Sequence, residues 1–413
     1  MRRVRRALLV LALLCAGLVA IMNSGADARW TCVDRPNHPR CQPAPTTTSS
    51  TPTTTSSTTT STSTSTTTST TTTSTTTTRP VGTLSLRVSG NRLIDGNGAP
   101  ITLRGVNYSG AEYACIQGWG IFDGPSDDAM IDALASWHVK TVAIGLNEDC
   151  WLGINGVPTA YGGANYRNAI VAFVNRLHAH GMYAEIRLMW TAPGTTKATW
   201  QREAPDADHS PATWSSMAAT FANDPAVILT PYGEPVVDWQ CWMQTPCTIN
   251  SGGQTMTTAT AKQAVTAMRS NGYHGPIALA CIQWANDCDG WLQYHPTDPD
   301  GQLVAAPHIY GNNTCGAQNN GACLTNTIAP IAASYPVLFG ETGETYDDSE
   351  CTDANMRVII PWAESHNVSW QAWTWDTWGT CLALISDFNG TINTSGLLGA
   401  TYATYIHDQL VSH

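Results

Sequence analysis

From residue 84 onward the chain repeats one pattern: a short apolar run rich in β-branched residues, then a longer stretch whose apolar positions recur every three or four residues. Runs apolar on both faces suit strands buried between two layers, and the longer stretches suit amphipathic helices that cover them. The spacing predicts strands near 102–107, 141–146, 183–190, 227–234, 276–282, 303–310, 336–341 and 368–375. Helices are expected near 126–138, 164–180, 211–223, 254–271, 324–334, 352–366 and 396–410, and 283–300 carries the weakest helical pattern. Ahead of them, Leu84, Leu86 and Val88 alternate before Gly90-Asn91, Leu93-Ile94 and Asp95-Gly96-Asn97-Gly98, which predicts a hairpin. Eight strands at intervals of roughly 30 to 45 residues define the fold class as α/β, a (β/α)8 TIM barrel with an N-terminal β-hairpin. Active sites in that architecture sit at the C-terminal strand ends.

The first 83 residues read differently. Arg2, Arg3, Arg5 and Arg6 precede the apolar run Ala7 to Met22 and the small-residue site Ala26-Asp27-Ala28, so 1–28 reads as a secretory signal peptide. Residues 29–43 form a short stub holding Cys32 and Cys41, and 44–80 is a Thr/Ser-rich stretch that cannot bury apolar area and is expected to be a disordered linker. Residues 81–413 are then one barrel domain. The protein is expected to be secreted and extracellular, and a monomer without membrane insertion once the signal is cleaved.

Cysteine usage agrees with export. Of 13 cysteines, Cys15 lies in the signal, leaving an even number for an oxidising compartment. Cys32 with Cys41, Cys241 with Cys247, Cys281 with Cys288, and Cys315 with Cys323 are close enough for loop staples; Cys115, Cys150, Cys351 and Cys381 are left for longer bridges. No Cys-x-x-Cys or His-x-x-x-His pair points to zinc, and no cofactor is implied. A formal charge of −11 with 12% charged residues argues against nucleic acid or an anionic membrane as partner. The bias of 16 Trp to 5 Phe suits stacking on sugar faces.

Two predicted strands deliver a carboxylate to the barrel rim: Val227-Ile228-Leu229-Thr230-Pro231-Tyr232-Gly233-Glu234-Pro235 and Pro336-Val337-Leu338-Phe339-Gly340-Glu341. Either Glu alone reads more simply as a solvated loop residue. Paired in matching contexts, Glu234 and Glu341 are what glycoside cleavage needs, one acid for the leaving oxygen and one group to attack the sugar or activate water.

With the strand ends aligned, the chain resembles glycoside hydrolase family 5, the family of many cellulases and mannanases. The resemblance is carried by Leu103-Arg104-Gly105-Val106-Asn107, Leu146-Asn147-Glu148-Asp149-Cys150-Trp151, Trp190-Thr191-Ala192-Pro193-Gly194, Glu234-Pro235, His308-Ile309-Tyr310, Gly340-Glu341-Thr342-Gly343-Glu344 and Trp373-Thr374-Trp375. It implies that Glu234 is the general acid/base and Glu341 the nucleophile, that His308 and Tyr310 hold the site near the nucleophile, and that Trp373 lies under the sugar at the cleavage point. His308 alone could equally be a core histidine bonded to a backbone carbonyl. Tyr310, two residues on and on the same strand face, favours the site. Trp375 and Trp378 read as core, and Trp190 is a further candidate at the end of strand three.

Three positions depart from the family, which usually has Arg, His and Asn where this chain has Ala143, Met189 and Gly233. The reading that follows is a secreted retaining glycoside hydrolase cleaving a β-linked glucan or mannan, with a polysaccharide or oligosaccharide as its partner. The alternatives are a catalytically impaired barrel that binds glycan, or a transglycosylase. On strand three, Glu185, Arg187 and Met189 share one face, and Ile186, Leu188 and Trp190 the other. The charged face should enter the lumen, where Arg187 either pairs only with Glu185 or also reaches Glu341 as charge support in place of the missing Arg at 143.

The linker and stub offer almost nothing apolar to a core. A chain beginning at Val81 is expected to melt at the temperature of the full-length protein; a clear loss in calorimetry would show that 29–43 docks on the barrel.

Overall fold

The computed structural model describes residues 84–344, 352–394 and 401–413. The signal peptide, stub and linker, and Cys32, Cys41 and Cys351, lie outside the described residues.

The chain opens with the antiparallel hairpin β1 (Leu86–Ser89) and β2 (Arg92–Asp95). A parallel sheet follows: β3 (Arg104–Tyr108), β4 (Thr141–Asn147), β5 (Tyr183–Trp190), β6 (Val227–Thr230), β9 (Ile277–Ala280), β10 (Leu303–Ala306), β11 (His308–Ile309), β12 (Leu338–Thr342) and β13 (Ser369–Ala372). Its order is β10-β9-β6-β5-β4-β3-β13-β12-β11. β10 and β11 are two halves of one strand broken at Pro307, which has no N–H for a ladder. Pairing of Ala305 with Val337 joins the sheet ends, giving the eight-stranded parallel barrel the sequence predicts.

Apolar alternation builds two cores. The faces of β3–β6 carrying Val106, Val142, Ile144, Ile186, Leu188 and Leu229 pack under the helices. At the N-terminal end of the lumen, Leu103, Ile228, Ala278, Val304 and Leu338 meet Leu86, Val88 and Leu93 of the hairpin, which plugs the bottom of the barrel. The hairpin is fastened there by Leu86 N–H to the Pro225 carbonyl (2.7 Å) and Val88 N–H to Gln302 Oε1 (2.6 Å).

The predicted helices appear at Asp128–Ser136, Ala164–Ala179, Ser210–Phe221, Ala261–Ser270, Met356–His366 and Thr401–Val411, with helical turns across Leu324–Ala332. One expectation needs correcting. The helix expected over 254–271 starts only at Ala261, and the preceding residues form a second hairpin, β7 (Thr248–Ser251) and β8 (Gln254–Thr257). Gly252 and Gly253 turn it with φ of 58° and 80°, the left-handed geometry of a two-residue hairpin loop. Four disulfides are formed among the described residues: the expected staples Cys241–Cys247, Cys281–Cys288 and Cys315–Cys323, and Cys115–Cys150. No helix among the described residues is long and apolar enough to cross a membrane.

Gly105 sets the approach of β3 to β4, since a Cβ there would meet Thr141 Cγ2 at 2.6 Å as well as the Thr141 carbonyl. Gly105→Ala is therefore expected to cost about 1–3 kcal/mol in denaturant titration, as overpacking does in a filled interior. An unchanged midpoint would show that the strands separate freely.

Candidate active site

β6 ends at Thr230, and the turn Pro231–Gly233 carries the chain to Glu234 at the C-terminal mouth, while β12 carries Glu341 directly. One carboxylate oxygen of Glu234, one of Glu341 and a nitrogen of His308 lie within 4.8 Å of one another. Glu341 is buried, with 5% of its side chain exposed, and Glu234 keeps 15%. His308 Nδ1 is 2.7 Å from Glu234 Oε1 and 3.6 Å from Glu341 Oε2. The register pairs His308 with Glu341, so the histidine is a fixture of the ladder between the two carboxylates.

The carboxylates are held differently. Glu341 Oε1 accepts from Arg187 Nη1 at 2.8 Å, and Oε2 accepts from the Tyr310 hydroxyl at 2.8 Å. Glu234 Oε2 accepts from Gln201 Nε2 at 2.9 Å. Burial pushes the Glu234 carboxyl up to about 7, with Gln201 and the Arg187 charge pulling against it. Burial also raises Glu341, opposed by His308, Arg187 and Tyr310 and reinforced by Glu234. Burial lowers His308 to about 4, so its ring is neutral at pH 7, and its Nδ1 shares one hydrogen bond with Glu234 Oε1 at 2.7 Å.

Arg187 enters the lumen as the strand-three pattern predicts, and it does not pair only with Glu185. Its Nε and Nη2 bond Glu185 Oε1 (3.0 Å) and Oε2 (3.1 Å), Nη2 also donates to the Gly340 carbonyl (2.8 Å), and Nη1 faces Glu341 and Asn107 Oδ1 (3.3 Å). Thr230 Oγ1 donates to Glu185 from the neighbouring strand at 2.6 Å. Asn107 also donates to the Gly340 carbonyl of β12, at 3.0 Å.

Trp373 and Trp190 stand at the mouth. Trp373 follows β13, is half-buried, and has Trp378 6.1 Å away. Trp375 is fully buried against Trp137, as core. Between Leu146 and Asn147 the β4–β5 register slips by one residue, so that Asn147 pairs with Trp190. This bulge explains why Trp190 leaves the core face of Ile186 and Leu188 and packs on Tyr113 at 6.0 Å, which in turn stacks on the exposed Trp119.

Gln201 and Asn107 belong to the site without having been singled out from the sequence as site residues. Asn107 sits in a quoted strand-end motif, a usable signal; Gln201 lies in a long loop after β5 with no periodicity to mark it. That loop is tied down by Glu148 and Asp206, both fully buried. Glu148 accepts from the Ala192 N–H (2.7 Å) and Ser210 Oγ (2.9 Å), and Asp206 from the His209 N–H (2.7 Å). The β7–β8 hairpin braces the same loop through Arg202 Nη1 to the Ser251 carbonyl, 2.7 Å. Glu148, Asp206 and His209 offer three ligand atoms in close range, as do Glu234, His308 and Glu341, but both sets of carboxylates are already occupied by donors.

A closed parallel barrel with two buried carboxylates converging at its C-terminal mouth is the layout of a glycosidase. Residues 94–379 match the family described as cellulase (glycosyl hydrolase family 5), and the chain belongs to that family. Solved structures with the same fold include a β-glucanase from Saccharophagus degradans, 16% identical over 80% of this chain and 93% of that one with a TM-score of 0.59. They also include the catalytic domain of the major endoglucanase of Xanthomonas campestris pv. campestris, 16% identical over 79% and 100% with a TM-score of 0.59. A third is the mannanase catalytic domain of Streptomyces sp. SirexAA-E, 19% identical over 74% and 86% with a TM-score of 0.53. At these identities the likeness is one of fold. No curated protein sequence matches the chain.

Burial raises Glu148 well above the usual range, with the Asp206 charge adding to it, and burial raises Asp206 to about 6. Folded-state values above the unfolded ones mean that this contribution is complete below about pH 4 and is lost as pH rises through 6 and beyond. Melting temperature is expected to fall between pH 5 and 8, and less steeply in Glu148→Gln. Parallel curves would show that the pair does not couple to folding.

Proposed function

We propose that the protein is a secreted retaining glycosidase acting on a β-linked glucan or mannan. The observation that carries this reading is the approach of Glu234 and Glu341 to within 4.8 Å. Retaining enzymes place their carboxyl groups about 5–5.5 Å apart, and inverting ones about 6.5–9.5 Å apart to admit a water. One oxygen of each carboxylate within 4.8 Å of the other fits the retaining spacing better than the inverting one. The unlike surroundings support distinct roles for the two. Glu341, facing a guanidinium and a phenol, is the nucleophile; Glu234, held near 7 by burial, is the group able to give up and take back a proton around neutrality.

In the first step Glu341 attacks the anomeric carbon while the Glu234 proton goes to the departing oxygen. In the second, Glu234 takes a proton from water, which frees the sugar from Glu341. Neutral His308 keeps Glu234 oriented, and Tyr310 holds the attacking carboxylate. Trp373 and Trp190 offer indole faces at the mouth, and sugar stacking there is their proposed role. The proposed substrate class follows from the family and from the β-glucanase and the mannanase among the fold neighbours.

The test is reducing-end release from a panel of β-glucans and β-mannans. Glu234→Gln is expected to lower kcat/KM by about 10²–10⁴-fold, and Glu341→Gln to abolish release. The basic limb of the pH–rate profile should lie near the Glu234 value of about 7, because the first step needs the protonated acid. That limb should vanish for dinitrophenyl glycosides, whose leaving group needs no proton. Tight glycan binding with no release, unaltered by either substitution, would instead identify a non-cleaving barrel.

A further inference from the structure

We infer that Arg187, brought from β5, is the positioning residue that holds the Glu341 nucleophile ionised and aimed, with Glu185 as its brace. This rests on the assignment of Glu341 as nucleophile.

The geometry is one of enforced sharing. A guanidinium has its donors in a rigid fork, and here the fork is fully used. One edge takes Glu185 through two bonds, at 3.0 and 3.1 Å, and Thr230 fixes Glu185 in turn at 2.6 Å. With that edge fixed, planarity aims the two Nη1 hydrogens at Glu341 Oε1, 2.8 Å, and Asn107 Oδ1, 3.3 Å. The gem pair of Nη2 bonds, to Glu185 and to the Gly340 carbonyl, fixes the strand next to the nucleophile as well. Arg187 is 2% exposed, so solvent does not screen the contact.

The neighbours make room for this and for little else. A Cβ at Gly233 would press on Met189 Sδ and lie 2.9 Å from Arg187 Cδ. A Cβ at Gly340 would lie 3.0 Å from both Arg187 Nη2 and His308 Nε2. β4 presents the small Ala143 and Gly145, the latter paired with Arg187 and 3.2 Å from Met189 Cγ in its Cβ direction. Ala143, Met189 and Gly233 are therefore one packing arrangement that seats a cation from β5.

The charged and titratable groups facing Glu341 are Arg187 and Glu185 from β5, His308 and Tyr310 from the β11 segment, and Glu234 beyond β6. With His308 neutral, Arg187 is the one cation among these named groups. Removing it and removing Glu185 should act on the nucleophile with opposite sign.

The experiment follows covalent trapping of Glu341 by 2,4-dinitrophenyl 2-deoxy-2-fluoro-β-cellobioside and the corresponding mannobioside across pH. The carboxylate bonds to C1 as the C1–O bond breaks and dinitrophenolate leaves with the electron pair, so no acid is involved and the rate reads the nucleophile alone. In Arg187→Met the acid limb should move up by about one to three pH units, the effect of removing an opposite charge at this range. In Glu185→Gln it should move down. Arg187→Lys, which keeps charge but loses the fork, should show a slower plateau with a smaller shift. Because Arg187→Met strands Glu185 in the lumen, the double variant Glu185→Gln/Arg187→Met is measured beside it, with near-UV circular dichroism as a check on folding. A folded variant lacking Arg187 whose acid limb coincides with that of the parent overturns the inference. A parent chain that neither probe labels at Glu341 overturns the nucleophile assignment and the inference with it.

Discussion

A single guanidinium among three carboxylates is the constraint on which the mouth of this barrel depends. Arg187 faces Glu185 and Glu341 directly, and its charge is felt at Glu234. An unpaired charge in a closed barrel costs several kcal/mol, so the lumen has to be built around it. Thr230 orients Glu185, Asn107 and Arg187 both bond the Gly340 carbonyl, and Tyr310 takes the Glu341 oxygen that Arg187 leaves free. These bonds come from β3, β5, β6, the β11 segment and β12, so the cation staples most of the ring at the level where the chemistry occurs. The geometry around Glu341 and the tie between these strands thus rest on shared contacts.

The proposed acid/base is organised on another principle. Glu234 sits beyond the end of its strand, and its fixed partners are a neutral histidine and a loop amide. Gln201 is only as well placed as its loop, which is why the buried Glu148 and Asp206 and the β7–β8 hairpin matter to a group with which they have no direct bond. The difference suits the two tasks. A nucleophile needs a lasting charge, whereas an acid/base needs a carboxyl whose two protonation states are close in free energy, and partial burial without a dedicated cation gives that.

The barrel was legible because its strands are apolar on both faces, a pattern that neither amphipathic helices nor half-exposed strands share; β4 and β5 were expected almost to the residue. Arg187 was legible for the complementary reason, as a charge in a run that must be buried. The β7–β8 hairpin was not, since Thr248–Ser251 and Gln254–Thr257 are mostly polar and lie on the outside, though Gly252-Gly253 did carry the turn signal. Trp190 needed the β5 bulge, and a one-residue slip in register leaves no mark on composition. Gln201 had no signal at all. Its role exists only because a long loop folds back over the mouth, a contact between residues 33 apart in the chain.

The three departures from the family pattern look from the sequence like three separate losses of polar groups. In space they are one exchange. A long side chain from β5 cannot reach Glu341 while a side chain at 233 occupies the region of Arg187 Cδ and Met189 Sδ, so glycine at 233 is a condition of the contact. What is conserved by the exchange is charge beside the nucleophile. What is not conserved is hydrogen-bonding capacity around the sugar, because Gly233 offers no side-chain amide and Met189 presents a thioether, a weak acceptor. A site of this kind retains the means to stabilise a carboxylate nucleophile while losing means to recognise hydroxyls beside it. On the function proposed above, discrimination between sugars would rest on shape and on the Trp373 and Trp190 faces, where one hydroxyl more or less is worth little in free energy.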